Sequence, residues 1–313
     1  MTSTERWRKR NPSIDIDTDS DEDKNMKVKA KAVVVRQNVI GDGIYDLVLK
    51  VPEIAEQAVP GQFVNVYLND ASKLLPRPIS LCGIDAAQGT LRLVYRAGGE
   101  GTKQMALWKA GDACEVLGPL GNGFPLEEAA GKVVYLVGGG IGVPPLLQTA
   151  AELCDSAALT EEMSDIIADE EKVSEKSDGV NVKTSETDVV SVLGYRSECF
   201  LKEEFDRCGE TLIATEDGSC GVKGTVIDAM NADGRVPDVI FACGPAPMLR
   251  ALKNWATEKN IPCYISMEER MACGVGACLA CVCGTKEKDG HSHVNNTRVC
   301  KDGPVFNAQD IEL

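Results

Sequence analysis

The sequence predicts a multidomain β plus α/β chain: an antiparallel β-barrel, then a doubly wound α/β domain, then a short C-terminal lobe. Three observations carry that reading. From Val28 to about Pro125, short β-branched runs alternate with period two between Gly and Pro turns. From Lys132 the rhythm becomes buried strand, glycine-rich turn and helix. Near the C-terminus, Cys273, Cys278, Cys281 and Cys300 stand in a C-x4-C-x2-C-x18-C spacing.

At 313 residues the chain is long enough for about two domains, each with its own core. Its net charge of -15 argues against nucleic acid, whose phosphates call for a basic face. The longest apolar stretches, such as Val133 to Val137, are strand-sized and far short of the roughly 20 residues that a spanning helix needs. Met1 to Arg10 has no apolar signal-peptide core, so no membrane and a cytoplasmic location are expected. The 13 cysteines are odd in number and scattered, and four belong to one motif, which fits reduced thiols in a reducing compartment.

Residues 1–26 pass from Arg6, Arg8, Lys9 and Arg10 to Asp15, Asp17, Asp19, Asp21, Glu22 and Asp23, with little to bury, and read as a disordered acidic tail. The barrel is expected over 27–125, with strands at Lys31 to Val35, Tyr45 to Val51, Gln62 to Leu68, Pro78 to Ile84 and Thr90 to Tyr95. Gly98-Gly99-Glu100-Gly101-Thr102 precedes a helical Lys103 to Trp108, so Gly101 and Thr102 lie at a helix start, where free N–H groups favour phosphate. Arg77-Pro78-Ile79-Ser80 offers a rigid cationic fork for a diphosphate and a hydroxyl for a flavin edge. Val94-Tyr95-Arg96 adds an aromatic face and a second cation. Gly118 to Phe124 reads as a turn-rich linker that closes the barrel.

The α/β domain is expected over 126–267. Lys132 to Val137 is a strand, Gly138-Gly139-Gly140-Ile141-Gly142 a turn suited to a dinucleotide's pyrophosphate, and Leu146 to Leu153 a helix. Residues 155–188, with eleven acidic residues against three lysines, read as a solvated insertion. Strands resume at Val189 to Leu193 and Thr211 to Thr215. Val239 to Cys243 leads into Gly244-Pro245 and the helix Met248 to Glu258, which puts Cys243, Gly244 and Pro245 at the ligand-binding edge of a parallel sheet. Cys263 to Met267 is expected to be the last sheet strand, with a lobe over 268–313.

In that lobe, four-residue and two-residue gaps match the plant-type run that holds a [2Fe-2S] cluster, and small residues let the backbone curl around its sulfurs. A structural zinc site would pair its cysteines as two C-x2-C units, and only Cys278 and Cys281 are so paired. Cys283 is a spare thiol.

These motifs together, ending in Glu269-Arg270-Met271-Ala272-Cys273-Gly274-Val275-Gly276-Ala277-Cys278-Leu279-Ala280-Cys281, resemble the electron-transfer subunit of NAD-dependent, type B dihydroorotate dehydrogenase, in the ferredoxin reductase superfamily. The resemblance spans about 27–313 without the acidic insertion. It implies an FAD-binding barrel, an NAD-binding domain and a cluster lobe. FAD falls to Arg77, Pro78, Ile79, Ser80, Val94, Tyr95, Arg96, Gly101 and Thr102, and NAD to Gly139, Gly140, Cys243, Gly244 and Pro245. Iron falls to Cys273, Cys278, Cys281 and Cys300. It further implies an FMN-containing catalytic partner, in a heterotetramer of two of each subunit, serving pyrimidine biosynthesis. Alternatives are an NADH-handling subunit of a sulfide dehydrogenase or ferredoxin:NADP oxidoreductase, or a flavin-less interaction subunit with zinc.

Deleting residues 1–26, or replacing 155–188 by a Gly/Ser linker, is expected to leave flavin and iron contents unchanged, since both segments are poor in core-forming residues. Loss of flavin on gel filtration of either variant would contradict this.

Overall fold

In the computed structural model, residues 27–70, 72–154, 187–288 and 293–313 are described. The acidic tail and nearly all of the expected insertion lie outside these residues.

Six strands close a barrel: β1 (Val28–Gly41), β2 (Ile44–Lys50), β3 (Phe63–Tyr67), β4 (Arg77–Asp85), β5 (Thr90–Arg96) and β6 (Ala113–Leu120), in the order β1-β2-β5-β4-β3-β6. Every pairing is antiparallel. Alternation sorts the side chains. Leu47, Leu49, Val64, Val66, Leu91 and Leu93 fill the interior, whereas Phe63, Leu120 and Val94 join the cores shared with the second domain. β6 was not among the expected strands, because Glu115, Gly118 and Pro119 make Ala113 to Leu120 read as connection. It pairs with β1 and β3 and so completes the closure. A short α1 (Pro52–Ala55) buries Ile54 and Ala55, and α2 (Glu100–Met105) starts earlier than expected, with Gly99 as its N-cap.

The second sheet has seven strands. In chain order come β7 (Val133–Gly139), β8 (Asp188–Tyr195), β9 (Glu210–Thr215), β10 (Val222–Lys223), β11 (Val239–Cys243) and β12 (Cys263–Ser266). A small ribbon of β13 (Val282–Gly284) and β14 (Asn296–Arg298) follows, and then β15 (Val305–Asn307). The spatial order β10-β9-β8-β7-β11-β12-β15 reverses direction between β7 and β11, the switch point of a doubly wound sheet. α3 (Leu147–Leu153) and α4 (Lys202–Phe205) cover one face, over Val134, Leu136, Leu193 and Phe241. α5 (Val226–Asp233) and α6 (Ala246–Glu258) cover the other, over Tyr135, Val137, Val192 and Ala242. Helical spacing of Leu249, Leu252, Trp255 and Ala256 gives α6 its buried stripe.

One expectation is corrected. The sheet does not end at β12: the chain leaves for the cysteine loop and the ribbon, then returns as β15, antiparallel to β12 through Ile265 and Phe306. Three residues are too short a run to stand out, and their partner is distant in sequence.

Barrel and sheet are locked by a buried guanidinium. Arg92, on β5, makes two bonds to Asp46 of β2, Nε to Oδ1 at 3.0 Å and Nη2 to Oδ2 at 3.1 Å. It reaches across to Glu204 of α4 through Nη1 and through Nη2 at 3.0 Å. Arg36 adds a bond to Asp46 Oδ2 at 3.0 Å. Arg92→Ala leaves the buried Asp46 carboxylate with Arg36 as its remaining cation and is expected to destabilise by up to about 3–5 kcal/mol. Glu204→Gln keeps the Arg92–Asp46 fork and should cost less. Urea denaturation of the two variants at equal flavin content checks that order.

Candidate functional site

A cleft of about 290 Å³ opens where the three parts of the chain meet. The barrel contributes Phe63, Pro78, Ile79, Ser80, Val94, Tyr95 and Arg96, and the turn after β7 contributes Ile141 and Pro145. The segment after β12 contributes Met267, Glu268, Glu269 and Met271, with Pro304 beyond the ribbon. Register explains the barrel wall, since Phe63 lies opposite Ser80 and Asn65 opposite Pro78 on the outward face. Tyr95 borders the cleft, but its ring stacks on Tyr45 at 5.7 Å inside the barrel and its hydroxyl donates to Gln37 Oε1 at 2.8 Å. An aromatic face toward the cleft is therefore not what Tyr95 provides. Its neighbours Val94 and Arg96 stand on the outward side of the strand.

Arg77, Gly101 and Thr102 lie outside the cleft wall and form a cradle beside it. Gly101 is buried in the first turn of α2, and a methyl there would collide with the Arg77 guanidinium. Only glycine lets this cation lie on the helix start. Arg77 Nη1 also donates to the Leu75 carbonyl, so its direction is set before any ligand arrives. Thr102 Oγ1 closes the turn, accepting from the Gly99 N–H at 3.1 Å. A fixed cation beside a glycine-opened backbone fits a diphosphate.

Across the cleft, Gly138 pairs with Cys243, so the glycine turn and the Cys243-Gly244-Pro245 turn leave adjacent strands side by side at the switch point. A Cβ on Gly139 would sit 2.5 Å from Met248 Sδ and 3.1 Å from Pro245 Cδ. The turn is thus seated on the second motif, and the two form one ledge. Cys243 is buried, and burial pushes its thiol well above the usual range.

The four cysteines of the lobe also converge. Gly274 and Gly276, at φ 71° and 80°, turn the loop so that its N–H groups point inward. Cys273 Sγ accepts from the N–H groups of Val275 and Cys278, each at 3.4 Å. Cys300 Sγ accepts from Gly276 N–H at 3.1 Å, and Cys281 Sγ from Cys300 N–H at 3.4 Å. Burial pushes the Cys273 thiol up, but these N–H groups and the Cys278 thiol outweigh it and bring it down to about 6. For Cys300, burial and the neighbouring Cys281 thiol push it up to about 12. Thiol contacts join Cys273 to Cys278 and Cys281 to Cys300. Among the described residues, no three His, Cys, Asp or Glu side chains gather as the ligands of one metal ion would. Four thiols inside a ring of amide donors fit a [2Fe-2S] cluster, which they would hold through sulfur. Cys283 stands apart in β13 opposite Thr297, its thiol pushed up to about 11 by burial.

Sequence reasoning missed Phe63, Met267, Glu268, Glu269, Met271 and Pro304 in the cleft. Glu269 and Met271 were seen only as part of the cysteine motif, and nothing local marks the others.

Comparison with known proteins places the chain in a family. Residues 268–312 match the family model described as the iron-sulfur cluster binding domain of dihydroorotate dehydrogenase B. Over 284 residues the chain is 44% identical to the dihydroorotate dehydrogenase B (NAD(+)) electron transfer subunit of Bacillus caldolyticus, covering 90% of this chain and 97% of that protein. The chain belongs to this family. The corresponding subunit of Bacillus cereus (strain B4264) is 41% identical over 286 residues, with the same coverage. Among solved structures, the NADH-dependent reduced ferredoxin-NADP oxidoreductase matches with a TM-score of 0.72 at 25% identity over 90% of each chain. The cytochrome b5 reductase domain of Ulva prolifera nitrate reductase matches with a TM-score of 0.53 at 14% identity, covering 74% of this chain and 93% of that one. The fold is thus that of ferredoxin reductases, while sequence identity selects the dihydroorotate dehydrogenase B family within it.

Gly101→Ala is expected to displace Arg77 and to strip flavin, whereas Gly98→Ala, with open space around its Cβ position, should not. Losing a charge-assisted bond of roughly 1.5–3 kcal/mol predicts about a tenfold or greater rise in the flavin dissociation constant. Flavin absorbance per protein after gel filtration is the readout.

Proposed function

We propose that this chain is the electron transfer subunit through which an FMN-containing, dihydroorotate-oxidising partner reduces NAD+ in pyrimidine biosynthesis, by way of a [2Fe-2S] cluster and FAD. The observation that carries this is the shared cleft, whose walls come from the flavin motifs, the nucleotide turn and the approach to the cysteine loop. Bound FAD supplies the exchange between single electrons from iron and the paired electrons of a hydride.

The chain's own residues do the rest. Arg77 and the Gly101 turn bind the diphosphate, Ser80 and Arg96 face the ring system, and Ile141 and Pro145 narrow the cleft from the nucleotide side. Gly139, Gly140 and Cys243 to Pro245 form the ledge for NAD. Cys273 with Cys278, and Cys281 with Cys300, hold the iron. Met267 and Met271 present apolar side chains to the cleft from the side of the cysteine loop.

The proposal includes a heterotetramer of two electron transfer and two catalytic subunits in the cytoplasm. The cysteines are odd in number and scattered along the chain, which suits a reducing compartment. No helix among the described residues is long and apolar enough to cross a membrane.

The relay is tested with Cys278→Ser at matched flavin content. NADH oxidation by a dye acceptor is expected to persist, because hydride transfer to flavin does not pass through iron. Dihydroorotate-dependent NAD+ reduction with the partner subunit should fall to background. Full turnover in a variant that binds its partner but lacks the cluster would refute the relay.

A further inference from the structure

One buried amide has no partner, and it lies where the cysteine loop crosses the barrel. Along β3, Val64 and Val66 point into the barrel interior. The alternate residues, Phe63 and Asn65, therefore point outward. Phe63 lines the cleft and shares a core with Cys281, Val299 and Cys300. Asn65 is 0% exposed, yet neither its Nδ2 nor its Oδ1 has a hydrogen-bond partner. An amide so buried is costly unless something accepts from it, and an orphan in a native core calls for an unseen ligand or a functional reason.

Its surroundings say what that ligand is. A Cβ on Gly274 would collide with Asn65 Nδ2 and stand 3.0 Å from Leu120 Cδ1, so the glycine next to Cys273 is what lets the amide reach the loop. Gly274 also has φ 71°, a second reason for a residue without a side chain. The backbone N–H groups of Val275 and Cys278 already point at Cys273 Sγ. Asn65 Nδ2 approaches that loop from the barrel side, at Gly274. Cluster sulfurs only accept hydrogen bonds, so the end of the amide that faces the loop must be its N–H.

We propose that Asn65 donates a hydrogen bond from Nδ2 to the sulfurs on the Cys273 side of the bound cluster, as a positioning residue by which the flavin barrel sets the cluster's reduction potential. This rests on the reading that the 273–300 cysteines hold a [2Fe-2S] cluster. A donor stabilises the reduced, more negative cluster more than the oxidised one, so it raises the midpoint potential. Asn65 also follows Phe63 by two residues on the same face, so the strand that walls the flavin cleft is the strand that tunes the iron.

The test uses full-length protein with both cofactors loaded. Wild-type protein is assayed first for iron, acid-labile sulfide and the electron paramagnetic resonance signal of a reduced [2Fe-2S] cluster. Absence of all three overturns both the cluster reading and this inference. With the cluster present, Asn65→Leu, which fills the same space without a donor, is expected to keep iron, sulfide and FAD at wild-type content. Its one-electron reduction equilibrium should fall about tenfold, a midpoint about 59 mV more negative. Asn65→Asp, which brings a negative charge, should move it further the same way. An unchanged midpoint in Asn65→Leu overturns the donor role and leaves the relay standing.

If Asn65→Leu fails to hold the cluster, wild-type protein labelled with 15N-asparagine decides. Residues 271–282 and 298–301 contain no other asparagine. A 15N coupling to the reduced cluster in pulsed spectra supports the bond, and its absence overturns it.

Discussion

A single guanidinium, sealed between two domains, holds the arrangement on which every site depends. Arg92 is 5% exposed, and taking it and Asp46 out of water costs several kcal/mol per ion before their attraction, and that of the half-buried Glu204, returns anything. Such a cluster is a poor source of raw stability and a strict judge of geometry. With Arg36 it balances two cations against two anions, and it is satisfied only when α4 sits squarely on the barrel. Asp42 N–H, bonded to Glu198 at 2.9 Å, and Ile84 N–H, bonded to Gln148 at 2.8 Å, add further ties across the same boundary. The cleft exists because these polar contacts admit one mutual orientation of barrel and sheet.

Within that orientation, glycines decide where charges can approach. Gly101 opens the helix start to Arg77, and Gly274 opens the cysteine loop to Asn65. In both cases the missing side chain creates no void, because a polar group from another element takes its place. The two sites differ in how the polar group is held. Arg77 is half-buried and braced by the Leu75 carbonyl, whereas Asn65 is wholly enclosed and has no bond of its own.

Much of this was legible in the sequence because the signals are local. The cysteine spacing, the glycine turn after a strand and the Arg77 to Ser80 motif each concern neighbours in the chain, where geometry follows from residue type. The sheet order was not legible, nor were the strand Ala113–Leu120, the helix Val226–Asp233 and the strand Val305–Asn307. Each is short or interrupted by Gly, Pro or Asp and gains its stability from distant partners. Tyr95 shows the limit from the other side, since an aromatic next to an arginine gave no sign of which face of the barrel it would choose. Asn65 gave no sign at all, because its meaning depends on a glycine more than two hundred residues away.

The return of the chain as β15 changes the character of everything between β12 and itself. The cysteine segment is a loop with both ends sewn to one sheet edge, Cys243 and Ser266 lying alongside at its departure and Val305 opposite Ser266 at its return. A closed loop has far less freedom to lose than a dangling tail when it wraps an inorganic core, and the cost grows only slowly with its length. Tethering at both ends also sorts the thiols by depth: Cys278, beside the exposed Leu279, lies at the loop's outer rim, whereas Cys281 and Cys300 are buried against the sheet's own core.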